Sequence, residues 1–296
     1  MYHIIANTKS GQNRKSVKAA ASLQKFLEKN NIEHKFYFTE RAGHAAALAG
    51  ELSASPGANI VAMGGDGTFH EVLNGLQNLD STVLGLIPGG SGNDFARSVS
   101  LKRKKPVGSF KRILKNNIIN IDYLQFYGPD GAETKRCLNI AGTGLDIEVL
   151  LKARAIRRLT GKPKYLLALI RALKRFDPYR MTVSVNGQSE TFDCIMMGVC
   201  NGTDFGGGIK LSPMSKVDDG VLDIVIIKMV ERKKIKWLLP RFIRGKHIGK
   251  YYCVHYRSDA CKITNDKNYK INLDGEIYSN LNFDCKLIAG GLKIYG

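Results

Sequence analysis

Apolar residues follow two rhythms along the chain, and the change between them divides it. Up to Asp122, short apolar runs alternate with segments whose apolar residues recur every three or four positions. Tyr2–Ala6, His34–Thr39, Ile60–Met63 and Val83–Ile87 read as strands. Ser16–Asn30, with Val17, Ala20, Leu23 and Leu27 on one face, reads as a helix, as do His44–Leu52, the segment carrying Val72, Leu73 and Leu76, and Val107–Asn116. This alternation predicts a doubly wound, Rossmann-like α/β domain. Beyond Asp122 the strands become short and alternating, separated by turns such as 127–131 and Asn186-Gly187. Asn186-Gly187, between Met181–Val185 and Thr191–Met197, is a strong hairpin signal. The expectation is an α/β domain over 1–122 and a mostly-β domain over 123–296, a β-sandwich with a basic helical insertion.

Composition narrows the class. The chain has 296 residues and 44% hydrophobic content, enough for one large or two ordinary domains with real cores. No stretch approaches the roughly eighteen consecutive apolar residues of a membrane span. The first residues open on a strand pattern rather than a signal peptide. The six cysteines, at 137, 194, 200, 253, 261 and 285, contain no C-x-x-C pair. Zinc sites and a disulfide framework are disfavoured, and reduced, mostly buried thiols in a cytoplasmic compartment are expected. The net charge of +19 predicts an anionic partner: nucleic acid, membrane surface or polyphosphate. Nucleic acid is the weaker choice. The aromatics sit inside strand-like runs, and no helix-turn-helix, zinc finger or RRM motif is visible.

The candidate chemistry starts where the third strand ends. Gly64-Gly65-Asp66-Gly67-Thr68-Phe69-His70 joins that strand to a helix, and backbone N–H groups in such a turn can face a phosphate because no Cβ blocks the approach. Asp66 is the odd member. A carboxylate there repels a phosphate unless a cation or a hydrogen-bond donor holds it, which hints at a Mg²⁺-nucleotide. The motif is neither a Walker A loop nor G-x-G-x-x-G, and a structural tight turn is the bland alternative. A second strand runs into Pro88-Gly89-Gly90-Ser91-Gly92-Asn93-Asp94-Phe95-Ala96-Arg97. Both loops should lie on the carboxyl edge of one parallel sheet, where such sheets bind ligands.

These two stretches resemble the diacylglycerol kinase catalytic domain, in a wider group with sphingosine kinases and, through the GGDGT element, NAD kinases. The layout is most similar to soluble bacterial diacylglycerol kinases and related lipid kinases. The resemblance implies an NAD-kinase-like first domain and ATP and Mg²⁺ as cofactors. It sets Gly64, Gly65, Asp66, Gly67, Thr68, Phe69, His70 and Ser91 around the nucleotide, with Ser10, Gly11, Gln12, Asn13, Arg14 and Thr39 bordering it. Asp66 and Asp94 then position Mg²⁺ or the phosphates. Read without the resemblance, 7–14 is a plain βα loop.

Later motifs fit the same family. Lys216-Val217-Asp218-Asp219-Gly220-Val221-Leu222-Asp223 is a tight acidic turn offering oxygens of the kind hard cations take. The resemblance implies a structural Mg²⁺ on the Asp219 side chain and the Lys216 and Val221 carbonyls, with Asp218 acting through water; a simple Asp-Gly turn is the alternative. Leu273-Asp274-Gly275-Glu276 is, by itself, a turn, and the family reading makes Glu276 the general base. Asp122 is either part of a polar network behind the site or a strand-end cap. Basic clusters at 150–180 and 228–250, the second beside Trp237, Leu238, Leu239, Phe242 and Ile243, suit transient docking on an anionic bilayer. Lys102-Arg103-Lys104-Lys105 reads as a solvated connection. The favoured reading is a cytoplasmic ATP- and Mg²⁺-dependent kinase of diacylglycerol, a homodimer being plausible from the family, with its site in an interdomain cleft. The alternatives are another acceptor, a sphingoid base or NAD, and a non-catalytic nucleotide- or lipid-binding regulator.

Overall fold

The apolar runs of the first half fold as parallel strands. In chain order they and their helices are β1 (Tyr2–Ala6), α1 (Asn13–Lys29), β2 (His34–Phe38), α2 (His44–Ser53), β3 (Asn59–Gly64), α3 (Asp66–Gly75), β4 (Val83–Pro88), α4 (Asp94–Ser98) and α5 (Pro106–Ile113). The strand order is β2-β1-β3-β4, all parallel. Ile4, Ala6, Val61, Met63 and Ile87 meet Ala20, Leu23 and Leu27 of α1 and Phe110 and Ile113 of α5. Ile5, Ile60 and Ala62, the alternate positions of the pleat, are equally buried, as a parallel sheet covered on both faces requires. Val17, expected on the inner stripe of α1, is 53% exposed, because burial of this helix begins at Ala20. The computed structural model describes residues 1–8, 13–101, 105–128, 134–156, 158–174, 176–265, 270–279 and 283–296.

The rest of the chain comprises β5 (Ile118–Tyr127), β6 (Thr134–Cys137), β7 (Ile140–Gly144), α6 (Leu145–Ala155), α7 (Lys162–Leu173), β8 (Tyr179–Val185), β9 (Gln188–Cys200), β10 (Asp204–Phe205), β11 (Ile209–Lys210), β12 (Leu222–Lys228), α8 (Arg232–Ile243), β13 (Cys253–Ser258), β14 (Ala260–Asn265), β15 (Ile271–Leu273), β16 (Glu276–Tyr278) and β17 (Phe283–Tyr295). The hairpin at Asn186-Gly187 forms as its sequence demands: both residues have positive φ and Val185 pairs with Gln188. Strand β9 changes partners along its length. Its first half pairs with β8, and its second half lies between β7 and β12. A bulge opposite Ile227 and Lys228 marks the change. One side of these strands forms a sandwich core with Met197, Val199, Leu222, Ile224 and Leu273. The other side, with Ile195, Met196, Val225 and Ile227, packs under α6, α7 and α8. The basic insertion is thus two helices, α6 and α7, where the sequence pattern marks only one near 165–173.

The chain divides into Met1–Ile121 with Gly290–Gly296, and Asp122–Ala289. The expected boundary is displaced by one residue, and the C-terminal tail is a correction. Strand β17 runs on past the second unit, and its Lys293 and Ile294 pair in parallel with Val83 and Leu84 of β4. All six cysteines are buried and free. No helix among the described residues is long and apolar enough to cross a membrane.

Candidate active site

Strands β3 and β4 run in register, with Gly64 opposite Pro88, so their carboxyl ends bring the two glycine motifs together. Gly64 still belongs to the strand, Gly65 is the sole connector, and α3 starts at Asp66. The Gly89 N–H donates to the Gly64 carbonyl at 2.6 Å. A Cβ on Gly90 would lie 2.5 Å from the Gly65 Cα, so two backbones meet where no side chain fits. Asn93, buried and left-handed at φ 54°, closes the second loop on itself. Its Oδ1 accepts the Gly90 N–H at 2.9 Å, and its Nδ2 donates to the Gly90 carbonyl at 2.8 Å.

The two acids of these loops converge. Asp66 Oδ1 accepts the N–H of Phe95 at 3.3 Å, so a backbone donor does hold this carboxylate. Asp94 pairs with Arg97, which also donates to the Gly92 carbonyl at 2.6 Å. A Cβ on Gly92 would stand 2.7 Å from Asp66 Oδ2 and 3.5 Å from Asp94 Oδ2. Two carboxylate oxygens therefore face a point that glycine keeps open.

The other expected nucleotide residues are dispersed in role. Thr68 is buried, its Oγ1 accepting from Asn7 Nδ2 at 3.3 Å. Phe69 and His70 are buried as well. The Phe69 N–H donates to Gly65 at 3.1 Å, and His70 Nε2 lies 3.4 Å from Asn74 Nδ2. The Thr39 N–H is bonded to the Ala6 carbonyl at 3.1 Å, at the same sheet edge. Ser91 is exposed, and so is Arg14 in the first turn of α1, which Asn13 opens. Ser10, Gly11 and Gln12 lie outside the described residues, as do Lys102, Arg103 and Lys104.

In the second unit the acidic turn is organised by Asp122. Its Oδ2 accepts the Gly220 N–H at 2.8 Å, and its own N–H donates to Val217 at 2.6 Å. Asp219 Oδ1 accepts the Val221 N–H at 3.3 Å, while Oδ2 is paired with Arg257 at 2.5 Å. Asp223, fully buried, takes Ser215 at 2.6 Å and His255 at 2.7 Å. Of the Lys216, Asp219 and Val221 set expected to hold a structural Mg²⁺, the one carboxylate is thus bonded to the Val221 N–H and to Arg257.

Glu276 follows a two-residue turn in which Asp274 (φ 53°) and Gly275 (φ 100°) are both left-handed, and Leu273 pairs with Glu276. Asp274 anchors this turn. Its carboxylate accepts the N–H groups of Leu138 at 2.7 Å, Asn139 at 3.0 Å and Ile140 at 3.2 Å, and the Cys137 thiol at 3.1 Å. Burial, with Asp274 beside it, holds that thiol well above its usual range. Glu276 itself is half exposed and paired with Arg154 at 3.1 Å. Beneath α6, α7 and α8 lies an apolar pocket of about 460 Å³, open mouth included, lined by residues such as Leu145, Leu169, Met196, Leu239 and Phe242. Its one polar tip is the Tyr252 hydroxyl, buried without a hydrogen-bond partner among the described residues.

Residues 1–126 match the family described as the diacylglycerol kinase catalytic domain, and residues 139–296 match the YegS C-terminal NAD kinase beta sandwich-like domain. The chain belongs to the diacylglycerol kinase-like family of lipid kinases. One relative, the diacylglycerol kinase of Bacillus subtilis (strain 168), is 30% identical over 275 residues, 92% of this chain and 88% of that one. A solved diacylglycerol kinase from Bacillus anthracis str. Sterne shares the fold with TM-score 0.77 at 24% identity, over 99% and 96% of the two chains. An NAD kinase from Archaeoglobus fulgidus, solved in complex with ATP, aligns with TM-score 0.53 at 12% identity over 100% and 94%, a likeness of fold alone. For this lipid kinase chain, sequence reasoning placed Asn93 in the nucleotide loop and Asp274 in the Glu276 turn without their hydrogen-bond roles, and missed Asn272 and Arg257. Only Asn93 and Asp274 carried a signal, as Asn and Asp in positions that tolerate left-handed backbone.

Proposed function

We propose that the protein transfers the γ-phosphoryl group of ATP to the free hydroxyl of diacylglycerol, giving phosphatidic acid and ADP. The observation that carries the reading is the pair of carboxylate oxygens of Asp66 and Asp94 converging on Gly92, in loops whose glycines let backbone approach backbone. A Mg²⁺-nucleotide fits there: hard cations take oxygen ligands, and like charges brought together call for a cation. When bound, Mg²⁺ neutralises charge on the phosphates. Gly65, Gly67, Ser91 and the surrounding backbone cradle the triphosphate, and Asp66 and Asp94 orient it. The acceptor hydroxyl oxygen forms a new bond to the γ-phosphorus as the bond to the β-bridging oxygen breaks. Glu276 takes the hydroxyl proton, and ADP leaves.

The pocket, apolar except for the Tyr252 hydroxyl, supports a lipid acceptor over a dinucleotide, since its walls suit an acyl chain. Docking on an anionic bilayer through α8 belongs to this reading. Trp237 is 70% exposed among Lys233, Lys234 and Arg241, and the opposite face of the helix supplies Leu238, Leu239 and Phe242 to the pocket. The test is transfer from labelled ATP to dioleoylglycerol in mixed micelles, beside a sphingoid base and NAD. Dioleoylglycerol should be phosphorylated, and Glu276→Gln and Asp66→Ala should abolish the product. Labelled NADP or a sphingoid phosphate as the main product replaces the acceptor. ATP and vesicle binding with no transfer to any alcohol leaves a regulator.

A further inference from the structure

Helix α6 grips the Glu276 turn from two directions. At its first turn the Asp146 carboxylate is buried, and its Oδ2 accepts a hydrogen bond from Asn272 Nδ2 at 2.7 Å. Gly142 makes room for it, since a Cβ there would fall 2.1 Å from the same oxygen. The backbone N–H of Gly275, on the far side of the Asn272 amide, can only donate. That fixes the amide of Asn272: Nδ2 must face Asp146, and Oδ1 must face the other way. There it accepts the Gly275 N–H at 2.7 Å. At the last turn of α6, Arg154 donates to the Gly275 carbonyl at 2.9 Å and to Glu276 Oε2 at 3.1 Å. Both polar groups of the Gly275 backbone and the Glu276 carboxylate are thus tied to one helix.

We propose that Asn272 and Arg154 are positioning residues for Glu276: Asn272, oriented by Asp146, and Arg154 together set the direction of the Glu276 carboxylate. The inference rests on Glu276 as the base. A carboxylate on a two-residue turn has a rotatable side chain and a turn that can tilt. Holding the Gly275 N–H and carbonyl removes the tilt, and Arg154 Nη2, which donates to both the Gly275 carbonyl and Glu276 Oε2, removes most of the rotation. An acceptor proton is taken only within hydrogen-bond reach, so this aim enters the rate of transfer and not the affinity for ATP.

The experiment compares Asn272→Ala, Arg154→Ala, Arg154→Lys and Glu276→Gln in the intact chain, with the first two also placed on the Glu276→Gln background. It measures kcat and the KM for ATP with dioleoylglycerol micelles, and amide exchange over residues 272–279. Asn272→Ala and Arg154→Ala should each lower kcat about tenfold or more, leave the KM for ATP within about twofold, and speed exchange at the turn. Lysine at 154 should recover only part, because one terminal nitrogen makes both bonds and the shorter side chain reaches them less well. On the Glu276→Gln background neither should reduce the residual rate further, since both act through that carboxylate. Unchanged kcat in the single variants, or losses that multiply with that of Glu276→Gln, overturns the positioning role while the base stands. A Glu276→Gln enzyme with wild-type turnover overturns the base beneath it. Should Asn272→Ala fail to fold, half-exposed Arg154 carries the test alone.

Discussion

Three glycines of one loop separate packing from ligand binding, and alanine at each makes the distinction measurable. None of Gly89, Gly90 and Gly92 has a left-handed φ, so alanine adds no backbone strain of its own. At Gly92 the new Cβ would stand 2.7 Å from Asp66 Oδ2, where 3.4 Å begins ordinary contact, and the carboxylate must retreat by the difference, about 0.7 Å. Misplacing a positioning group by about 1 Å costs on the order of 10²-fold. Gly92→Ala should therefore lose roughly 30- to 100-fold in kcat/KM for ATP and weaken Mg²⁺-ATP binding by calorimetry, with Tm within a degree or two. At Gly90 the Cβ would meet the Gly65 Cα at 2.5 Å, backbone against backbone with nothing flexible to yield. That variant should lose about 1–3 kcal/mol of stability and several degrees of Tm. At Gly89 the nearest atom is the Gly64 carbonyl oxygen at 3.7 Å, and alanine should change stability by under about 0.5 kcal/mol and leave activity intact. A Gly92→Ala enzyme with normal ATP binding and turnover refutes the cradle, and so does a Gly89→Ala enzyme crippled to the same degree.

Three further outcomes follow from the second unit. Asp274→Ala strands three backbone N–H groups, those of Leu138, Asn139 and Ile140, and should cost about 3 kcal/mol or more in urea unfolding, at about 1–3 each before water recovers part. Asp146 is raised from 3.8 to about 6 by burial, so the folded chain holds this proton where the unfolded chain releases it. Its contribution to stability is present below pH 4 and is lost as pH rises through 6, at most about 3 kcal/mol at 1.36 per unit, and the slope should vanish in Asp146→Asn. Trp237 is the single tryptophan, so a blue shift of its emission on vesicles containing phosphatidylglycerol, absent on neutral vesicles and reversed by salt, reports α8 docking; no shift on anionic vesicles rejects it.

Local signals carried most of the architecture. The β3–α3 and β4–α4 junctions, the Asn186-Gly187 hairpin and the break near Asp122 each lie in a window short enough for periodicity and turn chemistry to decide them. What escaped was long-range or unpatterned. Residues 290–296 return to the first sheet because β17 continues, and no local feature says which sheet a late strand joins. Helix α6 buries Leu145, Asp146, Ile147, Val149, Leu150 and Ala153, which lie around much of its circumference, so it has no amphipathic stripe to read. Asp146 and Asn272, or Asp219 and Arg257, are ordinary polar residues until folding brings them together from distant stretches of chain.

The dipeptide Asp-Gly occurs in three of the motifs that matter, and its carboxylate does a different job in each. Asp66 opens one helix and takes a backbone N–H from the next. Asp219 closes a turn and balances an arginine. Asp274 gathers three N–H groups and a thiol from another strand connection. Turn propensity explains why Asp-Gly stands at these places, but the donors that fold into reach decide what the oxygens can do. A general base needs an oxygen it can offer to the acceptor at little cost. Asp274 has both oxygens on buried amides, and Asp219 would give up its ion pair with Arg257. Glu276 gives only Oε2 to the half-exposed Arg154, so its other oxygen can take a hydroxyl proton while Arg154 keeps the carboxylate's direction. This difference in what each carboxylate would abandon favours Glu276 over Asp219 and Asp274 as the proton acceptor.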